Sequence, residues 1–325
     1  MKIRGIRFVA MFAMFILLGP AFAFSQGNEY NRGQGNAVVT VLPTQQGATS
    51  PAVPENELAV KLNGKSAVVS NWEHLKDSNA PIQMVILIDD AARGSLSNQL
   101  GDVAQFVKSL PANAEVAVAY MDNGRANFAG HLSTDHASVA RELRIPMGQP
   151  GVSGSPYFCL SDLAHHWPSQ NPAARRTVVM ITNGVDNYEV RYDPEDPYLQ
   201  AAIHDAVRSR ISVYSIYWSG HGAFGGGWYA ANDGQNLLAQ LTAATGGYSY
   251  WQGVGNPVSL QPYFKDFDQR LKNQYSLSFT VPLPNGPKVE SLSLHATGTS
   301  VKLIAPQQVF VGHPAPGVSG NSQGD

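Results

Sequence analysis

The sequence lacks a second cysteine. Of 325 residues only Cys159 carries a thiol, so no disulfide can form within the chain and packing must hold the fold. Charge is also scarce: 14% of residues are charged, with 22 Lys and Arg against 24 Asp and Glu. Such a balance excludes a charge-rich disordered chain and a basic nucleic-acid reader. Long apolar runs are missing too. The run at residues 8–18 falls well short of the ~20 residues that a bilayer span needs, and no later segment is long and apolar enough.

What is present at the start is a processing signal. Lys2, Arg4 and Arg7 precede the apolar run and Ala21-Phe22-Ala23 follows it as a small-x-small cleavage site, so residues 1–23 read as a signal peptide. The mature chain is expected to begin near Phe24, outside the cytoplasm, in the periplasm or beyond, with no transmembrane span left. Cleavage removes three of the 22 basic residues and no acid, leaving 19 against 24 and a net charge of −5. Cys159 lies among apolar neighbours in Tyr157-Phe158-Cys159-Leu160 and reads as a small buried hydrophobe, not a nucleophile.

Composition divides the rest. Residues 24–54 are rich in Gly, Gln, Asn, Ser, Thr and Pro and read as a flexible linker with room for one strand at 37–42. Residues 55–80 form a hairpin segment: two short strands flank Asn63-Gly64, a pair suited to a type I′ turn. From 81 to 274, apolar runs at 84–88, 115–120, 177–182 and 212–218 alternate with helical patterns at 96–107, 135–144, 196–210, 235–245 and 257–273. A candidate edge strand spans 127–132. Asp196 before Pro197 marks a helix start, and Gly246-Gly247 a helix stop. This alternation predicts an α/β fold with a doubly wound, mostly parallel sheet and helices on both faces. Residues 275–311 read as strands only, expected to form a small flanking β unit with the hairpin. Residues 312–325 read as a disordered tail.

In a doubly wound sheet ligands gather at the carboxyl ends of the strands, so the loops after residues 88, 182 and 218 matter most. Ile88-Asp89 opens towards a helix, Gly154-Ser155-Pro156-Tyr157 precedes another, and Met180-Ile181-Thr182-Asn183-Gly184 follows a central strand. These segments resemble the three loops of a von Willebrand factor type A domain. With the Asn-Gly hairpin and the trailing Leu277-Ser278-Phe279-Thr280 strand, the chain is similar to a secreted bacterial subfamily of such proteins over residues 58–311.

The resemblance implies a Rossmann-like fold and a metal-ion-dependent adhesion site, in which an Asp-x-Ser-x-Ser loop, a Thr and a second Asp surround a divalent cation that a partner's acid completes. This sequence departs from that pattern. Asp89 matches the first Asp, but Ala91 and Arg93 stand at the serine positions, Ser155 replaces the Thr and Asn183 the last Asp. Starting from Asp90 puts Ala92 and Gly94 at the hydroxyl positions, which is no better. The set Asp89, Ser155 and Asn183 makes a degenerate, weak site for Mg2+ or another divalent cation. Asp90 and Asp186 are close enough in sequence to add carboxylates, whereas Arg93 repels a cation. Arg93 either captures a partner carboxylate in place of the metal or pairs with Asp89 or Asp90 on the surface.

Other motifs weigh less. Residues 220–225 match G-x-G-x-x-G after a strand, but the chain then reads as continuing loop, with no acid about twenty residues on for a ribose. The expectation is a Gly-rich loop presenting Trp228 and Tyr229 to a partner. The histidines, including the adjacent His165 and His166, lack metal-ligand spacing. No nucleophile and base stand out. The expected function is therefore non-catalytic binding of a protein or cell-envelope component through Asp89, Asp90, Arg93, Ser155, Asn183, Asp186, Trp228 and Tyr229. Two alternatives are a metal-assisted hydrolase using Asp89 or Asp90, which needs a deep pocket, and a structural envelope component assembling through strand edges.

Overall fold

A computed structural model describes residues 32–45, 48–76, 81–92, 94–149, 152, 154–189, 192–219, 227–253, 255–282 and 286–313. The signal peptide, Arg93, the G-x-G-x-x-G motif, the side chain of Trp228 and the tail beyond residue 313 lie outside the described residues. In chain order the elements are β1 (Arg32–Pro43), β2 (Leu58–Leu62), β3 (Lys65–Ser66), β4 (Val68–His74), β5 (Ile82–Asp89), α1 (Leu100–Ser109), β6 (Ala114–Asp122) and β7 (Arg125–Phe128). Next come α2 (His136–Arg141), α3 (Pro156–His165), β8 (Arg175–Thr182), α4 (Pro197–Arg208), β9 (Ile211–Tyr217), α5 (Gly227–Thr245), β10 (Ser249–Tyr250) and α6 (Gln261–Lys272). Strands β11 (Gln274–Pro282), β12 (Lys288–Ala296), β13 (Val301–Ile304) and β14 (Gln308–Gly312) close the chain.

One sheet has six strands in the order β10-β9-β8-β5-β6-β7, parallel throughout except for β7 at its edge. Winding reverses between β5 and β8, which makes their carboxyl ends the switch point of the sheet. Every residue of β5 is buried, as a strand covered on both faces must be. Alternate side chains serve opposite cores. Met84, Ile86 and Ile88 pack with Val103, Phe106, Phe264 and Phe267, and the rings of Phe106 and Phe264 stack 4.3 Å apart. Val85 and Leu87 pack with Leu160, Leu199, Ile203 and Leu237 on the other side. Cys159 is buried in this second core, and burial pushes its thiol well above the usual range, so it stays neutral and inert.

The doubly wound description holds for this sheet and not for the whole molecule. The expected small flanking unit is an antiparallel sheet of eight strands, larger than the parallel one, in the order β3-β2-β12-β14-β1-β11-β4, with β13 on β1. Its interior strand β1 comes from the segment expected to be a linker; the strand expected at 37–42 is there, but it begins five residues earlier, at Arg32. Small residues hid that first half. Gly35 stands where the ring of Phe279 crosses the strand, and a Cβ there would lie 2.4 Å from the ring. Val39, Val60, Leu277, Phe279, Val309 and Val311 form this sheet's own core. The turn at Asn63 and Gly64 has φ of 44° and 79°, the positive pair that a type I′ turn requires.

Other boundaries move: α1 is Leu100–Ser109 where 96–107 was expected, and α6 is Gln261–Lys272 where 257–273 was expected. Helix α2 stops at Arg141 instead of 144, because the following residues are held irregularly by the site described below. Strand β7 occupies 125–128 and not 127–132. Helix α5 starts at Gly227, eight residues before the expected 235, so Trp228 and Tyr229 stand in its first turn and not on a loop. Gly234 in mid-helix had interrupted the helical pattern. Among the described residues no helix is long and apolar enough to cross a membrane.

Candidate functional site

The parallel register sets Ile88 beside Ile181, so β5 and β8 end side by side at Asp89 and Thr182. The Thr182 hydroxyl donates to Asp89 Oδ2 at 2.8 Å, and the Ala91 N–H donates to Oδ1 at 2.9 Å. Asp89 thus closes its own turn and ties the two central strands together. Thr182 also accepts the Gly184 N–H at 3.2 Å, which starts the next loop. The sequence reading omitted Thr182 from the site, although a hydroxyl at a strand end beside Asn-Gly was a usable sign.

A second knot joins the loop after β8 to the start of α3. Ser155 caps that helix, accepting from the Tyr157 N–H at 3.3 Å, and its hydroxyl donates to Asp186 Oδ2 at 3.0 Å. The Tyr188 N–H donates to Asp186 Oδ1 at 2.8 Å. Tyr157 donates its hydroxyl to the Gly184 carbonyl at 2.7 Å, and Asn187 Nδ2 donates to the Gly154 carbonyl at 2.8 Å. Asn183 Oδ1 accepts the Val185 N–H at 2.9 Å, an Asx turn that shapes the loop from within. Asp89, Ser155, Asn183 and Asp186 therefore belong to one continuous set of linked loops. Every oxygen that the resemblance assigns to a cation is already engaged within the chain.

Asp90 has other partners. It is fully buried and receives both guanidinium nitrogens of Arg144, Nη1 at 2.7 Å and Nη2 at 2.8 Å, with the Met147 N–H at 3.1 Å. Arg144 lies over the Tyr120 ring, 3.8 Å from its centroid, and its N–H donates to the Tyr120 hydroxyl at 2.6 Å. The expected partner of Asp90, Arg93, lies outside the described residues. The observed one comes from a loop 54 residues downstream, a separation no local pattern reveals.

Burial raises the Asp186 carboxyl above the usual carboxylate range, against the bonds from Tyr188 and Ser155 that lower it. A raised folded value means the native state keeps this proton where the unfolded chain has lost it. The associated stability is full below the ordinary carboxylate value and is lost as pH rises through the folded one. Asp186→Asn removes that loss, so its unfolding free energy at pH 7 minus that at pH 4 is expected to exceed the wild-type difference in urea titrations. An equal difference would show that Asp186 does not titrate with folding.

Large apolar side chains stand exposed around these knots. Ile145, Met147 and Tyr188 are each 58% exposed, and Tyr229 at the start of α5 is 78% exposed. Tyr188 packs edge-on against Phe158, with centroids 5.4 Å apart, and Phe158 in turn meets Tyr198 at 4.6 Å. The sequence reading missed Ile145, Met147 and Tyr188; the apolar pair around Pro146 in an otherwise polar stretch was the available sign. Two cavities, of 310 and 390 Å³, lie elsewhere, with no lining residue from these loops.

No protein-family model matches the chain, and no curated protein matches it. Solved structures similar to it include von Willebrand factor A domains. The manganese-loaded TRAP protein of Plasmodium vivax is 12% identical over 74% of this chain and 97% of its own, with a TM-score of 0.42. An aerotolerance-related membrane protein from Bacteroides fragilis is 13% identical over 58% of this chain and 98% of its own, with a TM-score of 0.39. The VWA2 paralogue of ArnB from Sulfolobus acidocaldarius is 7% identical over 84% and 75%, with a TM-score of 0.38. Likeness at this level carries no functional argument. The strand order and the antiparallel edge strand β7 place the α/β half by themselves.

Proposed function

We propose that this chain is an exported, non-catalytic protein-binding domain of von Willebrand factor A type, and that it grips its partner through the loop face without a resident metal ion. The observation that carries this reading is the set of exposed apolar side chains, Ile145, Met147 and Tyr188 on loops locked by buried hydrogen bonds and Tyr229 in the first turn of α5. Anchors on a rigid frame lose little entropy on binding, which is where interface energy concentrates.

The acids support this reading by what they already do. A general base or nucleophile must reach substrate, yet Asp89 is committed to Thr182 and Ala91, and Asp90 to Arg144. For a cation, the matched set offers a single carboxylate. Ala91 brings no side-chain oxygen, and one lone pair of the Ser155 hydroxyl is already taken by the Tyr157 N–H. This donor set fits a divalent ion poorly, and a partner is recognised by surface instead.

The test immobilises the secreted chain and exposes it to envelope extract of the cells that make it. A specific protein should be retained equally in EDTA and in magnesium, and a Met147→Ala/Tyr188→Ala double variant with unchanged melting should lose at least about tenfold in affinity. Retention that requires magnesium and disappears in Asp89→Ala would overturn the metal-free reading. Undiminished binding by the double variant would overturn the assignment of the face.

A further inference from the structure

The cavity of 310 Å³ lies between the two sheets, at the amino-terminal ends of β8 and β9 and so at the opposite end of the parallel sheet from the loops above. Its wall combines a hydrocarbon part, including Leu75, Val207 and Val309, with two guanidinium groups, Arg175 and Arg210, and one carboxylate, Glu73.

Arg175 is the informative residue. It opens β8 and is largely buried, with Nη1 donating to Gln274 Oε1 at 2.9 Å. Its Nε is buried and has no hydrogen-bond partner. Buried donors are nearly always paired, so the unmet Nε marks a guanidinium whose bonding is incomplete within the chain; because it has almost no open surface, an acceptor in the cavity reaches it only if the Arg175 side chain shifts towards the cavity. Neither Arg175 nor Arg210 forms an ion pair among the described residues. Burial without a carboxylate partner pulls the Arg175 guanidinium down to about 10, so it still carries its charge at neutral pH. Arg210 is placed by the turn between α4 and β9, where its φ of 57° lies in the left-handed region, and its charge depresses the neighbouring Arg176 in addition to the effect of burial. Positive charge thus gathers here in excess of its single acid.

We propose that this cavity between the sheets binds a small organic carboxylate, its carboxylate held by Arg175 and Arg210 and its hydrocarbon body lodged against Leu75, Val207 and Val309. Planar guanidinium forks match a carboxylate in two bonds each. The apolar wall favours a carbon-bearing anion over a bare inorganic one. The size is at the low end for small-molecule sites, which selects a compact ligand. The site is separate from the loop face and independent of its assignment.

Calorimetric titration of the full secreted chain tests this with benzoate and hexanoate as probes, and with hexan-1-ol and inorganic phosphate as controls. The carboxylates should bind saturably with Kd near ~1 mM, as expected for ligands of this size, and hexanol should not bind. Arg175→Gln removes one fork but alters a buried strand. The deciding variant is Arg210→Asn, because Asn tolerates the left-handed turn and the fold should persist. It should weaken carboxylate binding at least tenfold. Absence of saturable uptake of either carboxylate, unchanged affinity in Arg210→Asn, or binding of phosphate in their place would each overturn the proposal.

Discussion

Replacing Gly234 by Ala is expected to lower the unfolding free energy by about 2 kcal/mol, even though the same change should favour a helix. Inside α5 a glycine costs roughly 0.5–1 kcal/mol relative to alanine, so propensity alone predicts a gain. The packing predicts the reverse. A Cβ on Gly234 would lie 2.0 Å from the Asn183 carbonyl oxygen, and one on Gly184, whose φ is 69°, would lie 2.6 Å from the Gly234 carbonyl oxygen. Two backbones touch here, and neither can yield by rotating a side chain. Relief requires α5 to move off the loop after β8, and overpacking of this kind costs ~1–3 kcal/mol or more. The move would also displace Tyr229 relative to Tyr188, so partner binding should fall with stability. Urea unfolding of Gly234→Ala decides the sign: a more stable variant would show that propensity wins and that the contact is not tight.

That contact also explains why part of the fold was legible in the sequence and part was not. Strands β5, β6, β8 and β9 announced themselves because both of their faces are covered, which leaves unbroken apolar runs. The start of α4 was readable from Asp196 followed by proline; Ser155 before Pro156 carries the same signature at α3, which was read only through the resemblance. Strand β1 was legible only over 37–42; its first residues were not, because close approach of Phe279 demands glycine at a position where an ordinary strand would show a side chain. The early start of α5 was masked for the same kind of reason: Gly234 answers a tertiary contact and looks locally like a break.

The site divides along similar lines. Asp89, Ser155 and Asn183 could be named because they stand where the resembling loops carry their ligands, at the ends of β5 and β8 and the start of α3, with Asp186 close by in the loop after β8. Their chemistry could not be read from those positions alone. Ser155 was placed as a stand-in ligand, and its bond to Asp186 across the loops was not foreseen; Asp90 was placed as a spare carboxylate, and its bond to Arg144 was not foreseen either. Hydrogen bonds spanning 31 and 54 residues depend on how the sheet brings loops together, and no short window of sequence holds that information.

The Asp90 anchor leads to an ordering of two variants. Asp90 is fully buried, while the side chain of Arg144 is 45% exposed, so the two halves of the pair differ in what happens when the other is removed. In Asp90→Asn the guanidinium is left half in water and can rehydrate, and the amide can still accept the Met147 N–H; a cost of about 2 kcal/mol is expected, below the ~3–5 kcal/mol of a wholly buried pair. In Arg144→Ala the buried carboxylate loses two charged donors and keeps the Met147 N–H, and the stacking on Tyr120 is lost as well. That variant should cost about 3–4 kcal/mol. Both should free the 144–148 segment and, with it, Ile145 and Met147, so amide exchange at Met147 and Gly148 should accelerate before global unfolding. Equal costs, or a larger cost for Asp90→Asn, would mean that the buried carboxylate is not the member of the pair that depends on its partner, and that the loop bearing the exposed anchors is held by something other than this bond.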